Sequence, residues 1–384
     1  VRGSLAIWCE TEQVEVAGHS PKVELHFNIW SGLPGNTPDV LDIGFLFKEH
    51  QTIQRLFLYI PGKVDRSQLK DLSGILKNRT TLSAVFNNTL DVGKDTEGGF
   101  EVVRGTVVQF RMIKVDAEDP DQLSVEQFIE DDGRVGTIIV FEPSVIRRMS
   151  GVGDHYIRLR LVLSGELEDM LVSHIDPSDR IFLSSFYATQ VIEFRVNEKR
   201  NYSNGLRQRQ KDGQPPIIST IHYFLVRDLR VEMVQAHATF RKMRRLEPGL
   251  WSRYLEGLGN PNPENMIIYH WREVATDKLG IEDFIALAAF RQAGTNILMF
   301  ILAIVLLGIT GNAAQSLLTS FISLVRGDLS SISNICSQFI IVLFAGLSLR
   351  ALFIGARFKA GRRVKDFKTM IWQRLRVVIQ RYWR

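Results

Sequence analysis

From Gln292 to Leu349 the chain runs 58 residues with two charged side chains, Arg326 and Asp328, although 23% of its 384 residues are Asp, Glu, Lys or Arg. The hydrocarbon core of a bilayer is about 30 Å thick and needs about 20 apolar residues per helix, so this stretch has room for two crossings. The composition predicts one transmembrane helix over 295–314, centred on Ile297–Leu307, and a second over 335–356, centred on Phe339–Phe344. A buried hairpin of a soluble protein would carry a polar stripe, and the centre of neither segment has one.

The flanks give this hairpin a sidedness. From Arg350 to Arg384 eleven Lys and Arg residues stand against one acid, Asp366, whereas the loop between the crossings offers only Arg326. Positive charge beside membrane ends favours the cytoplasm. The expectation is a two-pass (multi-pass) protein of the plasma (inner) membrane with N- and C-termini both cytoplasmic. Residues 357–384 read as a basic amphipathic tail helix: Val364, Phe367, Ile371, Leu375, Val378 and Tyr382 recur at steps of three or four. Such a helix suits an anionic surface, with membrane lipid and its head groups as partners and Trp372 and Trp383 at the interface. The first residues, Val1–Cys9, lack the apolar run of a secretory signal. Two cysteines make no disulfide framework, so the sequons at Asn78, Asn87 and Asn201 read as chance matches on a cytosolic region.

Residues 1–235 alternate apolar with polar positions, the period of half-buried strands. Val23, Leu25, Phe27 and Ile29 interleave with Glu24, His26 and Asn28. Further strands are read at 41–47, 56–60, 108–112, 137–141, 157–163 (with Arg158 and Arg160 on the opposite face), 192–196, 217–226 and 229–233. Helices are few: one capped by Asp65 and carrying Leu69, Leu72, Ile75 and Leu76, and a short one from a Ser124/Gln127 capping box. The fold class expected is a mainly β cytosolic region, an antiparallel sandwich or barrel-like arrangement, with a break near 151 that would divide it in two. Residues 236–294 read as a helical connector, because Asn262-Pro263-Glu264 is a strong helix start and Ile267, Ile268, Trp271 and Val274 would share one face.

No nucleophile elbow, phosphate-cradling loop, zinc-protease helix or paired-cysteine site is present. Gly151-Val152-Gly153 lacks the third glycine of a dinucleotide loop. His174, Asp176 and Asp179 read as a polar turn, the acids from Asp116 to Asp132 as a wet loop, and His26, His222 and His237 as ordinary strand residues. The reading therefore assigns no catalytic residue, metal or cofactor, and leans away from an enzyme. Two basic patches are candidates for an anionic ligand or lipid: Arg207, Arg209 and Lys211, beside Lys199-Arg200, and Arg241-Lys242 with Arg244-Arg245. No recognised nucleic-acid module accompanies them, which argues against nucleic acid as a main partner. Within the hairpin the polar residues Asn312, Gln338 and Arg350 are the functional candidates.

A cytosolic β-rich region on a carboxy-terminal two-helix hairpin is similar in arrangement, over the last hundred residues, to two-helix membrane effectors of bacterial antiviral defence. That resemblance implies a sensor that binds a protein or nucleotide ligand, gathers subunits and alters membrane permeability. The large amino-terminal part, two terminal crossings and basic end also resemble CorA-type magnesium channels. Here Gly308-Ile-Thr-Gly311-Asn312 departs from that family's Gly-x-Asn signature, and Pro248, Pro261 and Pro263 interrupt its stalk-helix region. A membrane anchor or scaffold for a partner complex is the third reading. Two helices leave little room for a pore within one chain, so any permeation function implies a homo-oligomer.

Overall fold

The computed structural model describes residues 3–12, 21–33, 37–150, 153–175, 187–259, 261–293 and 297–360. The chain divides into two units, Val1–His174 with Gln190–Arg291, and Ile175–Thr189 with Gln292–Arg384. The first is mostly strand, arranged in three sheets. One holds β1 (Ala6–Thr11), β4 (Ile53–Ile60), β10 (Val135–Phe141) and β9 (Leu123–Ile129) in that order. The largest runs β16 (Lys242–Arg245), β17 (Met266–Val274), β14 (Ile217–Asp228), β2 (Lys22–Trp30), β3 (Asp39–Glu49), β11 (His155–Leu163), β8 (Val107–Ile113), β7 (Gly99–Arg104), β6 (Asp91–Thr96), with β5 (Leu69–Asp71) also on β11. A third has the order β12 (Val172–Ile175), β13 (Tyr187–Val196), β18 (Phe284–Ala293), β15 (Val231–Ala236).

Every strand read from the alternation is present. In the first sheet every pair is antiparallel, and in the large sheet β14 with β2 and β11 with β8 run parallel. Side chains alternate between faces of a strand, and in the large sheet both faces are covered. Val23, Leu25, Phe27 and Ile29 of β2 join a core that also takes Leu56 and Ile139 from the first sheet and Phe194, Phe284 and Phe290 from the third. The other face, bearing Trp30, Val40, Tyr156 and Val226, packs under α1 (Ser73–Leu76), α2 (Arg79–Phe86), α6 (Pro248–Trp251) and the residues that follow it, Tyr254, Leu255 and Leu258.

Four local expectations fail here. Residues 266–274 and 284–293 are strands β17 and β18, in place of a helical connector. Pro263 opens only a single helical turn, Pro263–Asn265, capped by the Asn262 side chain; β17 then pairs along its whole length with β14, and those ladder bonds override the local start signal. Ser124–Gln127 lies in β9, and the segment after Asp65 is one turn, a short strand and α1.

In the second unit α7 (Ile297–Val325) and α8 (Ser331–Ala360) form a hairpin joined by a tight turn. Both run beyond the expected spans, α7 to Val325 and α8 from Ser331 to Ala360. The stretches Ile304–Val325 and Ser331–Ser348 are each long and apolar enough to cross a membrane. The least exposed positions recur at steps of four and three: Leu306, Thr310, Ala313, Leu317, Ser320 and Leu324 on α7, and Ser331, Ile335, Gln338, Val342 and Ala345 on α8. That spacing is the seam of two helices packed side by side. Small and hydroxyl residues fill much of it. Asn334 Nδ2 donates to Ser320 Oγ at 3.2 Å, and Ser323 and Ser331 share a hydroxyl hydrogen bond. The large side chains point outward: Phe321, Phe339 and Phe344 are 59%, 62% and 71% exposed. Residues 361–384, where the basic tail helix is expected, lie outside the described residues.

Candidate functional site

The second face of the large sheet carries a row of polar side chains that strand register assembles. Arg160 lies opposite Asp42 and Arg158 opposite Gly44 across β11 and β3. Gly44 in turn lies opposite His26 across β3 and β2, and His26 opposite His222 across β2 and β14. Glu24 is two residues before His26, hence on the same face. Gly44 is needed here, since a side chain at that position would collide with the Tyr156 hydroxyl.

The row is one continuous hydrogen-bonded chain. At its buried end Asp42 accepts from Arg160 Nε (2.6 Å) and Nη2 (3.0 Å), from Trp30 Nε1 (2.9 Å) and from the Tyr254 hydroxyl (2.6 Å). Tyr254 accepts from Arg158 Nε at 3.0 Å, and Arg158 Nη1 donates to the Tyr156 hydroxyl at 2.8 Å. That hydroxyl meets His26 Nδ1 at 3.0 Å. His26 Nε2 is 3.1 Å and His222 Nε2 3.3 Å from the same oxygen, Glu24 Oε1. Lys48 Nζ donates to Glu24 Oε2 at 3.1 Å, and His222 Nδ1 is 3.0 Å from His270 Nε2.

Charge follows depth. Asp42 and Arg158 are fully buried. Burial works to raise the Asp42 carboxyl, but the Arg160 and Arg158 guanidiniums outweigh it and hold the acid ionised. Burial also works against the Glu24 carboxylate, yet hydrogen bonds from His222 and His26 and the Lys48 ammonium keep it below the usual carboxylate range. Burial lowers His26 to about 4 against its bond to Glu24. His270 falls to about 3 through burial, the neighbouring His222 and the cations Arg241, Lys242 and Arg272. One set of tautomers satisfies the row: His26 and His222 each donate from Nε2 to Glu24, and each Nδ1 accepts from Tyr156 or His270. Glu24, His26 and His222 keep 14%, 12% and 19% of their side-chain surface open to solvent. Phe86, Phe224 and Tyr156 wall them.

The residues singled out from sequence fall elsewhere, except one pair. Lys242 is the register partner of His270, and Arg241 N–H donates to the His270 carbonyl at 2.7 Å, so that patch borders the histidine row. Arg244 pairs with Glu247 and Arg245 donates to the Glu264 carbonyl. The cations of β16 also charge an edge strand, which guards it from pairing with other chains. Arg207 and Arg209 lie in the last turn of α5 (Asn204–Arg209), bound to the Lys199 carbonyl and to Glu126, and Lys211 is exposed just after it. Asn312 is exposed on α7, Gln338 lies on the α8 seam, and Arg350 lies within α8 with its side chain outside the described residues. Gly151, Val152, Asp176 and Asp179 also lie outside them. In the acidic stretch Glu130 is buried, accepts from the Tyr59 hydroxyl and forms an ion pair with Arg134, so that run is not uniformly wet.

By sequence alone His26 and His222 read as ordinary strand residues. The Glu24-x-His26 spacing was visible, and alternation alone places both on one face. His222 and His270 come from the far end of the unit, so no local pattern could join them to it. No known protein family and no curated protein matches the chain.

Proposed function

We propose that the chain is a two-pass membrane protein whose β-rich part binds a ligand or partner in the cytoplasm and controls assembly of hairpins that alter membrane permeability. The carrying observation is the hairpin's outward face, which exposes large apolar side chains such as Phe321, Phe339, Ile340 and Phe344, while its seam mixes small and hydroxyl residues with Leu, Ile and Val. Lipid tails are as apolar as leucine, so helices in a bilayer gain by close packing of small residues and by interhelical hydrogen bonds. In water the same outward face would carry a large unfavourable exposure. Asn312 supports assembly of several copies: it is exposed in the apolar stretch, has no side-chain partner among the described residues, and in lipid would seek one on another helix. The basic flank from Arg350 onward favours cytoplasmic termini and anionic lipid as the surface that the tail meets.

A magnesium-channel reading is less supported, because β17 and β18 stand where its stalk helix would run. The test is dye and ion leakage from anionic liposomes holding the full chain, beside a version ending before Thr295 and an Arg350→Ala variant. Leakage that needs the hairpin, changes in Arg350→Ala and responds to added cell extract is expected. Tight liposomes under every condition would overturn the permeability reading and leave an anchor or scaffold.

A further inference from the structure

We propose that Glu24, His26 and His222 form a binding site for a divalent transition-metal ion of the zinc class. The inference does not rest on the membrane reading. One ligand atom from each residue lies within 4.8 Å of the other two. Glu24 Oε1 stands 3.1 Å from His26 Nε2 and 3.3 Å from His222 Nε2. Bonds of about 2.0–2.2 Å in a tetrahedral site separate neighbouring ligand atoms by about 3.3 Å, so two of the three edges already have that length. Two imidazoles and one carboxylate suit zinc and its late first-row neighbours and leave a fourth position open.

The backbone beneath is rigid: all three residues lie on the paired strands β2 and β14, with His26 and His222 in direct register. Each ligand is also held from behind. The Tyr156 hydroxyl, itself bound by Arg158, fixes His26 Nδ1; His270 fixes His222 Nδ1; Lys48 holds the second oxygen of Glu24. Such outer contacts orient ligating histidines. To bind through Nε2, each imidazole moves its proton to Nδ1, and a hydroxyl or a second imidazole can serve that nitrogen as donor or acceptor. Lys48, Arg158, Arg241, Lys242 and Arg272 oppose a cation by charge. The site therefore selects a metal that bonds strongly to nitrogen over magnesium or calcium, which want oxygen ligands.

The test uses the detergent-solubilised full chain, stripped with chelator and titrated with cobalt(II) and zinc. We expect one equivalent of cobalt with the intense visible bands of a four-coordinate site, displaced by zinc and not by magnesium. Glu24→Gln and His222→Asn should abolish the bands, and His270→Ala should weaken binding about 10–100-fold. X-ray absorption on the zinc-loaded wild type should count two imidazoles, which keeps the test decisive if a variant fails to fold. Absence of the bands in the wild type, an imidazole count other than two, or equal binding by folded Glu24→Gln and His222→Asn would overturn the site.

Discussion

The β-rich unit and the helical hairpin place their large apolar side chains differently. In the β unit the large apolar side chains are inside, and the charges that strand register forces onto a covered face are neutralised by one another: Asp42 with Arg160, Glu24 with Lys48. In the hairpin many of the largest apolar side chains, Ile340 and Phe344 among them, are outside, while Ala313, Ser320 and Ala345 share the inside with Leu306, Leu317 and Val342. On the proposed membrane reading, each arrangement hides what its surroundings would not solvate. Burial alone therefore does not mark a core; the chemical kind of the buried and the exposed residues has to be read with it.

The comparison breaks most visibly at Asp42. Asp42→Asn leaves Arg160 and Arg158 buried without their counter-charge, a loss of about 3–5 kcal/mol, read as a lower urea midpoint by tryptophan fluorescence. A midpoint unchanged within error would mean that the face is wetter than its burial indicates.

Acid tests the same unit at a different place. His50 and His155 meet edge to face at 4.6 Å inside it, and burial, with the charge of His50, lowers His155 to about 4. The unfolded chain takes up a proton near pH 6.5 and the folded one only near 4. Stability is thus flat above about pH 6.5 and falls as pH drops toward 4, by about 3 kcal/mol for this residue. His155→Gln should flatten that part of the curve.

The hairpin is tested by two changes on one helix. Ile340→Lys on the outward face should cost insertion about 2.5–3.5 kcal/mol, seen as protein released from membranes by alkaline carbonate. Ala345→Leu on the seam should leave insertion intact but overpack the helix pair by about 1–3 kcal/mol, seen as a lower melting temperature in detergent. Reversed results would mean that the outward face is a soluble interface.

The smallest effect is at Asn78. Its side chain caps α2 by accepting from Thr81 N–H at 3.0 Å, so Asn78→Ala should cost about 1 kcal/mol in the urea midpoint of the β unit. A mobility shift of the same variant on expression in a glycosylating host would instead show that the sequon is used.

Legibility tracked the range of the interactions. Period-two alternation in β2, β3 and β11 depends on neighbours along the chain and was readable, as were the two apolar helices. The covered second face was not readable: Arg158 and Arg160 look like solvent-facing strand residues until Trp251 and Tyr254 cover them. Strand β17 was hidden by a strong local helix start, which ladder bonds to β14 overrode.

By itself the sequence determined that two long apolar helices follow a strand-rich region, because helix length, period and hydropathy are local properties that bilayer thickness and pleat geometry read directly. Only the tertiary structure decided that Glu24, His26, His222 and His270 meet, and which helix faces turn inward. Those depend on register between strands and on packing between helices, which arise from contacts between residues far apart in the chain.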